Sequence, residues 1–251
     1  MQILQWRDIL ENNNRLYFET PGTGISVGSF DGLHLGHRKL ICELVEGCRK
    51  QNLVPGVLTF NRPLPSLKKN GNYPGDVSSL SQRLKLLESC GVEFVILSDF
   101  SENLSSLKGQ DFFSILKNKI NLKFIAEGVD FRCGYKGATT SADIKKWADE
   151  NSVGTVFVEP VFYNTGSGEE RISSSYIRKL IQAGDLDKVN YLLSRNYQLD
   201  LSVPSEITQI LPPVGEYKVV TEKNTHEILK IDSEGIHVQS DAFFFDFCDI
   251  K

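Results

Sequence analysis

The stretch Ile25-Ser26-Val27-Gly28-Ser29-Phe30-Asp31-Gly32-Leu33-His34-Leu35-Gly36-His37 decides how this chain folds. Its first six residues, Ile25 to Phe30, read as a short buried strand. Gly28, Gly32 and Gly36 then let the backbone turn and come close to a ligand. Beyond His37 the apolar residues Leu40, Ile41, Leu44, Val45 and Cys48 fall at helical spacing. A strand that passes through a glycine-rich turn into a helix is the opening unit of an open α/β sheet, and such sheets bind ligands outside the carboxyl ends of their strands. The free N–H groups and positive dipole at the start of the following helix suit a phosphate.

Outward from this stretch the same alternation repeats. Val57–Phe60, Glu93–Leu97, Phe124–Ala126 and Thr155–Val158 read as further strands. Between them lie helical faces marked by Leu80, Leu84 and Leu87, by Phe112, Phe113, Leu116 and Ile120, and by Ile144, Trp147 and Ala148. The expected fold is therefore α/β, a Rossmann-like open parallel sheet of five strands with intervening helices. From Ser174 to about Ser194 the pattern is helical, broken and recapped at Gly184-Asp185. Past Pro204 the character changes to short strands at Tyr217–Val220, Ile228–Ile231, Ile236–Val238 and Phe243–Phe245, with turns such as Glu222–Thr225. The organisation expected is a domain over residues 1–199 and a small β-rich module over 200–251 that leans on it.

Composition narrows the function. The chain has 251 residues, 40% hydrophobic and 24% charged, enough to bury a core and too ordered in pattern for wholesale disorder. A net charge of -4 supplies no global basic field, so neither nucleic acid nor an anionic membrane is an expected partner, and an anionic ligand must be gripped locally. Five scattered cysteines without Cys-x-x-Cys spacing argue against a disulfide framework or a cysteine metal site and point to the cytoplasm. The start of the sequence shows no leader, and no run approaches a membrane span. Oligomeric state stays open.

Two motifs carry the chemistry. His34-x-Gly36-His37 puts two of the four histidines at the strand-to-helix turn, where both can donate hydrogen bonds to a phosphate under attack. About 135 residues later, Arg171-Ile172-Ser173-Ser174-Ser175-Tyr176-Ile177-Arg178 starts a helix with a serine cap and an arginine one turn in. Hydroxyls, free N–H groups and a guanidinium make an anion site of triphosphate size. Alone, the first motif is a weak match and the second an ordinary capped helix. Together, in this order and at these places, they resemble the nucleotidyltransferase superfamily.

The full set resembles one family more closely. Gly28 to His37, Val57-Leu58-Thr59-Phe60, Gly128-Val129-Asp130-Phe131-Arg132-Cys133-Gly134 and Arg171 to Arg178 are similar to the FMN adenylyltransferase module of bacterial bifunctional riboflavin kinase/FAD synthetase. The likeness runs from about Ile25 to Tyr197. It implies that ATP and FMN react to give FAD and pyrophosphate, with Mg2+; no metal-ligating residues are singled out. It assigns His34, His37, Ser174 and Arg178 to catalysis, the serines and arginine at the β- and γ-phosphates. Gly28, Ser29, Phe30, Asp31, Gly32 and Gly36 fall in the nucleotide cradle, with Ser173 and Ser175 at the second motif and Asp130 near the adenosine.

Three departures from that family stand out. Its Thr-Phe-x-Pro-His-Pro is here Thr59-Phe60-Asn61-Arg62-Pro63-Leu64-Pro65, without a histidine. The second aromatic of its Asp-Phe-x-Phe-Gly is Cys133, a small thiol that stacks poorly. Leu211–Tyr217 resembles a fragment of the kinase barrel, but the Pro-Thr-Ala-Asn motif and glycine-rich stretch of that barrel are absent, so the expectation is an adenylyltransferase without riboflavin kinase activity. Two alternatives remain: a related nucleotidyltransferase using another phosphorylated small molecule, and a non-catalytic nucleotide-binding protein on the same fold.

Overall fold

The computed structural model describes residues 1–11, 22–62, 73–99, 102–166, 168–202 and 209–248. Pro63, Leu64, Pro65 and Pro204, which the sequence reading singled out, lie outside the described residues. By spatial grouping the chain forms two compact units, one of Met1–Phe30, His37–Leu64 and Leu84–Pro160, the other of Asp31–Gly36, Pro65–Arg83 and Val161–Lys251. The loop between Gly28 and His37 is thus shared out between them.

The first unit is built on β1 (Gln2–Gln5), α1 (Trp6–Glu11), β2 (Thr23–Val27), α2 (Leu35–Lys50) from His37 onward, β3 (Val54–Phe60), α3 (Leu80–Ser89) from Leu84 onward, β4 (Phe94–Ser98), the single turn α4 (Glu102–Ser105), α5 (Gly109–Ile120), β5 (Leu122–Gly128), a small ladder of β6 (Arg132–Cys133) and β7 (Thr139–Thr140), α6 (Ser141–Glu150) and β8 (Gly154–Val158). The main sheet has the order β1-β4-β3-β2-β5-β8, and every pairing is parallel. The order runs outward in both directions from β2, so the chain reverses its direction of travel across the sheet there. β2, β3 and β4 are buried along their whole length, which is why they read as near-continuous apolar runs.

Six strands stand where the sequence reading expected five. The additional one, Gln-Ile-Leu-Gln at residues 2–5, pairs only with β4 and holds polar side chains at both ends. An edge strand needs no continuous apolar run, and four residues give periodicity too little to register. The first expected strand is also shorter, because the extended backbone ends at Val27 rather than Phe30. The core gathers Ile25, Leu58, Phe94, Ile96, Ile125 and the helix faces Phe112, Phe113, Leu116, Ile120, Ile144 and Trp147.

The second unit holds the hairpin β9 (Phe162–Asn164) and β10 (Glu169–Arg171), the helices α7 (Ser174–Ala183) and α8 (Leu186–Leu193), and an antiparallel sheet. That sheet comprises β11 (Gln198–Asp200), β12 (Gly215–Thr221), β13 (His226–Asp232), β14 (Gly235–His237) and β15 (Phe244–Phe247), in the order β11-β15-β12-β13-β14. Its inward residues Leu199, Tyr217, Val219, Leu229, Ile231, Phe245 and Phe247 share one core with Ile177, Ile181, Val189, Leu192 and Leu193 of the two helices. A small sheet is marginal alone, and here the helices complete its core.

Candidate functional site

In the first unit the candidate residues leave the sheet from the end of β2. The Gly28 N–H donates to Leu58 O at 3.0 Å, one step beyond the regular β2–β3 ladder. The Ser29 carbonyl accepts from Thr59 Oγ1 at 3.3 Å. Phe30 then takes a positive φ of 47°, costly for an aromatic residue, and the fully buried ring offsets that cost by packing. The ring meets His37 edge-on, with centroids 5.3 Å apart at 61°. Phe30 therefore orients the imidazole of the third residue of α2. Asp130 is exposed in the turn after β5, where Phe131 N–H donates to Gly128 O at 3.0 Å and Ser141 Oγ donates to Val129 O at 2.7 Å.

In the second unit Asp31 is the hub. Its carboxylate is buried and accepts from the Val77 N–H at 3.0 Å, the Ser78 N–H at 3.0 Å and the Ser78 hydroxyl at 3.4 Å. It is ion-paired with Arg178 Nη2. Burial raises the Asp31 pKa, while first the Arg178 charge and then the Val77 and Ser78 amides work against that rise. The Asp31 carbonyl accepts from Ser174 Oγ at 2.8 Å, so a residue of the first motif and two of the second are tied together at one point. Gly32 follows with φ 79°, and a Cβ there would lie 2.7 Å from Val77 Cγ1, so glycine is required twice over.

Arg178 sits where the sequence reading did not expect it. Only 5% exposed, it donates through Nε to Gly75 O at 2.8 Å and through Nη2 to Tyr73 Oη at 3.0 Å, with the guanidinium 5.0 Å from the Tyr73 ring centroid. Its planar fork is thus engaged by protein groups on several sides. The arginine one turn into a capped helix was visible in the sequence, but its partners were not. Tyr73 and Gly75 belong to no motif and lie 105 and 103 positions away from it.

His34 is 5% exposed, and its pKa is lowered to about 3 by burial first and then by the charges of Arg171 and Arg195. At neutral pH it is an uncharged imidazole with one donor and one acceptor nitrogen. Gly36 permits its placement: a Cβ on Gly36 would stand 3.2 Å from His34 Cε1 and Nδ1. Ser173 caps α7 by accepting from the Tyr176 N–H at 3.2 Å, as the sequence pattern indicated, and Ser175 is exposed in the first turn. The start of α7 lies in the same unit as His34, Arg171 and Arg195.

Two of the departures can be placed. Cys133 lies in β6, partly buried against the core of the first unit, and burial pushes its thiol up to about 12. Asn61 donates its N–H to Ser98 O at 2.9 Å, and Arg62 is exposed. Among the described residues no three His, Cys, Asp or Glu side chains gather to hold a metal ion, and no helix is long and apolar enough to cross a membrane.

The chain is similar to proteins of known family. A bifunctional riboflavin kinase/FMN adenylyltransferase of Buchnera aphidicola subsp. Schizaphis graminum is 30% identical over 179 residues, covering 70% of this chain and 56% of that protein. One of the same description from Bacillus subtilis is 28% identical over 219 residues, covering 80% of this chain and 67% of that protein. The chain thus spans about half the length of the Buchnera relatives it matches, 56% and 55%. A solved structure described as a macrolide-efflux protein from Streptococcus pneumoniae superposes with a TM-score of 0.74 over the whole of this chain and 86% of that one, at 22% identity, which is a likeness of fold. The family model for FAD synthetase matches residues 18–176, well over half of the sequence, and with it this chain belongs to the FAD synthetase family.

Proposed function

We propose that this chain transfers the adenylyl group of ATP to FMN, giving FAD and pyrophosphate, and that it works in the cytoplasm. The observation that carries the reading is the joining of Asp31 to Ser174 and Arg178, which fixes the loop of one nucleotidyltransferase motif on the helix start of the other. In the reaction an FMN phosphate oxygen attacks the α-phosphorus of ATP. The bond from that phosphorus to the oxygen bridging the β-phosphate breaks, and pyrophosphate leaves with the electron pair. The attacking oxygen is already anionic, so the protein has to supply position and charge rather than a strong base.

His34 and His37 are each assigned to donate hydrogen bonds to the α-phosphate as its charge grows, His34 as a neutral imidazole. Ser175 and backbone N–H groups at the start of α7 are assigned to the β- and γ-phosphates, while Ser174, whose hydroxyl donates to the Asp31 carbonyl, ties that helix start to the first motif. Arg178 braces that end by holding Asp31 in a buried ion pair, and Ser173 caps the helix by accepting from the Tyr176 N–H. Gly28, Ser29, Phe30, Asp31, Gly32 and Gly36 form the cradle, and Asp130 is placed with the adenosine. ATP is taken as its Mg2+ complex, the ion travelling on phosphate oxygens. Riboflavin phosphorylation is not assigned to these 251 residues, which hold no Pro-Thr-Ala-Asn motif.

A second reading, adenylyl transfer to another phosphorylated small molecule, is favoured by Cys133, where a flavin-stacking aromatic is absent. The test is incubation of the purified chain with Mg-ATP and FMN, and separately with riboflavin, followed by chromatographic separation of flavins. FAD from FMN and no FMN from riboflavin is expected. Bound ATP without FAD at saturating FMN would favour the second reading, and an absence of any turnover would favour a non-catalytic role.

A further inference from the structure

The main sheet of the first unit comes apart at one place. On one side β2 pairs with β3 as far as Val27↔Leu58, and Gly28 extends that contact. On the other side it pairs with β5 only from Thr23↔Leu122 to Ile25↔Ile125, although β5 continues beside β8 to Gly128↔Val158. β2 and β5 therefore part before either strand ends, at the point where the strand order reverses. The Val27 N–H, left without a strand carbonyl and buried, still requires an acceptor. Glu127 supplies it from β5: its Oε1 accepts from the Val27 N–H at 2.6 Å, and its side chain is only 1% exposed.

No step assigned above uses Glu127, and its surroundings are unusual for a carboxyl group. Among the described residues no cation is paired with it. Burial holds its pKa well above the ordinary carboxylate range, against the weaker pull of the Val27 N–H. From β6 it faces Cys133, whose thiol is raised by burial and then by the Glu127 charge, with the fully exposed Asp143 of α6 acting on Cys133 in turn. β8 brings Phe157 beside it in register, and β2 brings the backbone of Val27. In this setting burial favours the protonated form.

We propose that Glu127 is a positioning residue for adenylyl transfer: by accepting the Val27 N–H across the break between β2 and β5, it sets the direction in which Gly28, Ser29 and Phe30 leave the sheet, a role that rests on assigning that loop to the nucleotide. The carboxyl does not touch the reacting atoms. It does for the last residue of β2 what a neighbouring strand does for the rest.

The test compares the full chain with Glu127→Gln and Glu127→Met. Gln keeps an acceptor of the same shape, and it should leave the KM for ATP and kcat as they are. Met fills similar volume with only a weak sulfur acceptor, and the poorly satisfied N–H should raise the KM for ATP about tenfold, with a smaller change in kcat. Stability should separate Gln from the wild type as well. The unfolded chain loses its Glu127 proton in the ordinary carboxylate range while the folded chain keeps it, so wild-type stability declines as pH rises through that window. Gln lacks that slope, and its melting temperature should exceed that of the wild type by a margin that grows with pH. A Gln variant as impaired as Met overturns the proposal, because ionised carboxylate chemistry is then at work. A folded Met variant with unchanged KM overturns it also.

Should Met not fold, the Gln variant alone decides, a raised KM for ATP counting against the proposal and an unchanged one for it. Should the wild type make no FAD, the functional reading fails separately and equilibrium dialysis with ATP takes over as the readout. Weakened ATP binding in Met but not in Gln then supports the positioning role, and affinities equal in all three proteins, or no binding by the wild type, overturn it.

Discussion

The two halves of the loop from Gly28 to His37 are held by different forces. The half in the first unit is fixed by backbone and apolar contact: Gly28 bonds to Leu58, Thr59 to the Ser29 carbonyl, and the buried Phe30 ring packs on His37. The half in the second unit is fixed by a buried charge, the Asp31 carboxylate with Arg178, two amides and a hydroxyl. Apolar packing degrades gradually when a side chain is trimmed. A buried ion pair fails abruptly, because removing one partner strands the other in a poor solvent. The histidines follow the same division. His37 rests on a ring, whereas His34 is kept neutral first by burial and then by the charges of Arg171 and Arg195.

The strongest way to break this contrast is to remove one charge. Asp31→Ala should cost about 3–5 kcal/mol, since Arg178 is left buried and unpaired, measured by urea unfolding. Arg178→Met in the same chain should restore part of that loss. If Asp31→Ala unfolds at nearly the wild-type midpoint, the pair is not what holds this half. Arg178→Lys keeps a charge but not the fork that reaches Gly75, Tyr73 and Asp31 together, and it should fall between the two.

The histidines come next. His37→Ala should lower the rate of FAD formation roughly 100- to 1,000-fold while the protein stays folded. Wild-type turnover in a folded His37→Ala protein would refute its assignment. His34 should show itself through pH instead. Its folded pKa of about 3 lies below the unfolded value of 6.5, so its contribution to stability is complete above the unfolded value and is lost as pH falls toward the folded one. The loss is of the order of a few kcal/mol. His34→Gln should flatten the melting temperature between those two limits, and an unchanged acid slope would mean that His34 titrates normally.

The smallest effect compares two glycines, one in each half. Gly32→Ala meets both a positive φ and Val77 at 2.7 Å, and a cost of about 1–3 kcal/mol is expected. Gly28→Ala meets only the edge of the Phe30 ring at 3.1 Å and should cost less. Equal melting temperatures for the two variants would blur the distinction between the halves.

Much of this protein was decided by short stretches of its own sequence. The strand, turn and helix around Gly28 to His37, the Ser173 cap and the break at Gly184-Asp185 each depend on residues within a few positions of one another, and periodicity and capping report on such distances. The family followed because its motifs are local strings. Only the tertiary structure decided the rest. Arg178 could be seen at a helix start, but its carboxylate lies 147 positions away, and nothing in either string marks the other as its partner. Glu127 and Val27 are 100 positions apart, and the acceptor is needed only because two strands part at that point. The edge strand at Gln2–Gln5 was invisible for a related reason: its pairing with β4 is a property of the sheet, not of its four residues. Local conformation is set by neighbours in the chain, whereas buried charge and unsatisfied N–H groups are resolved by whatever folding brings beside them.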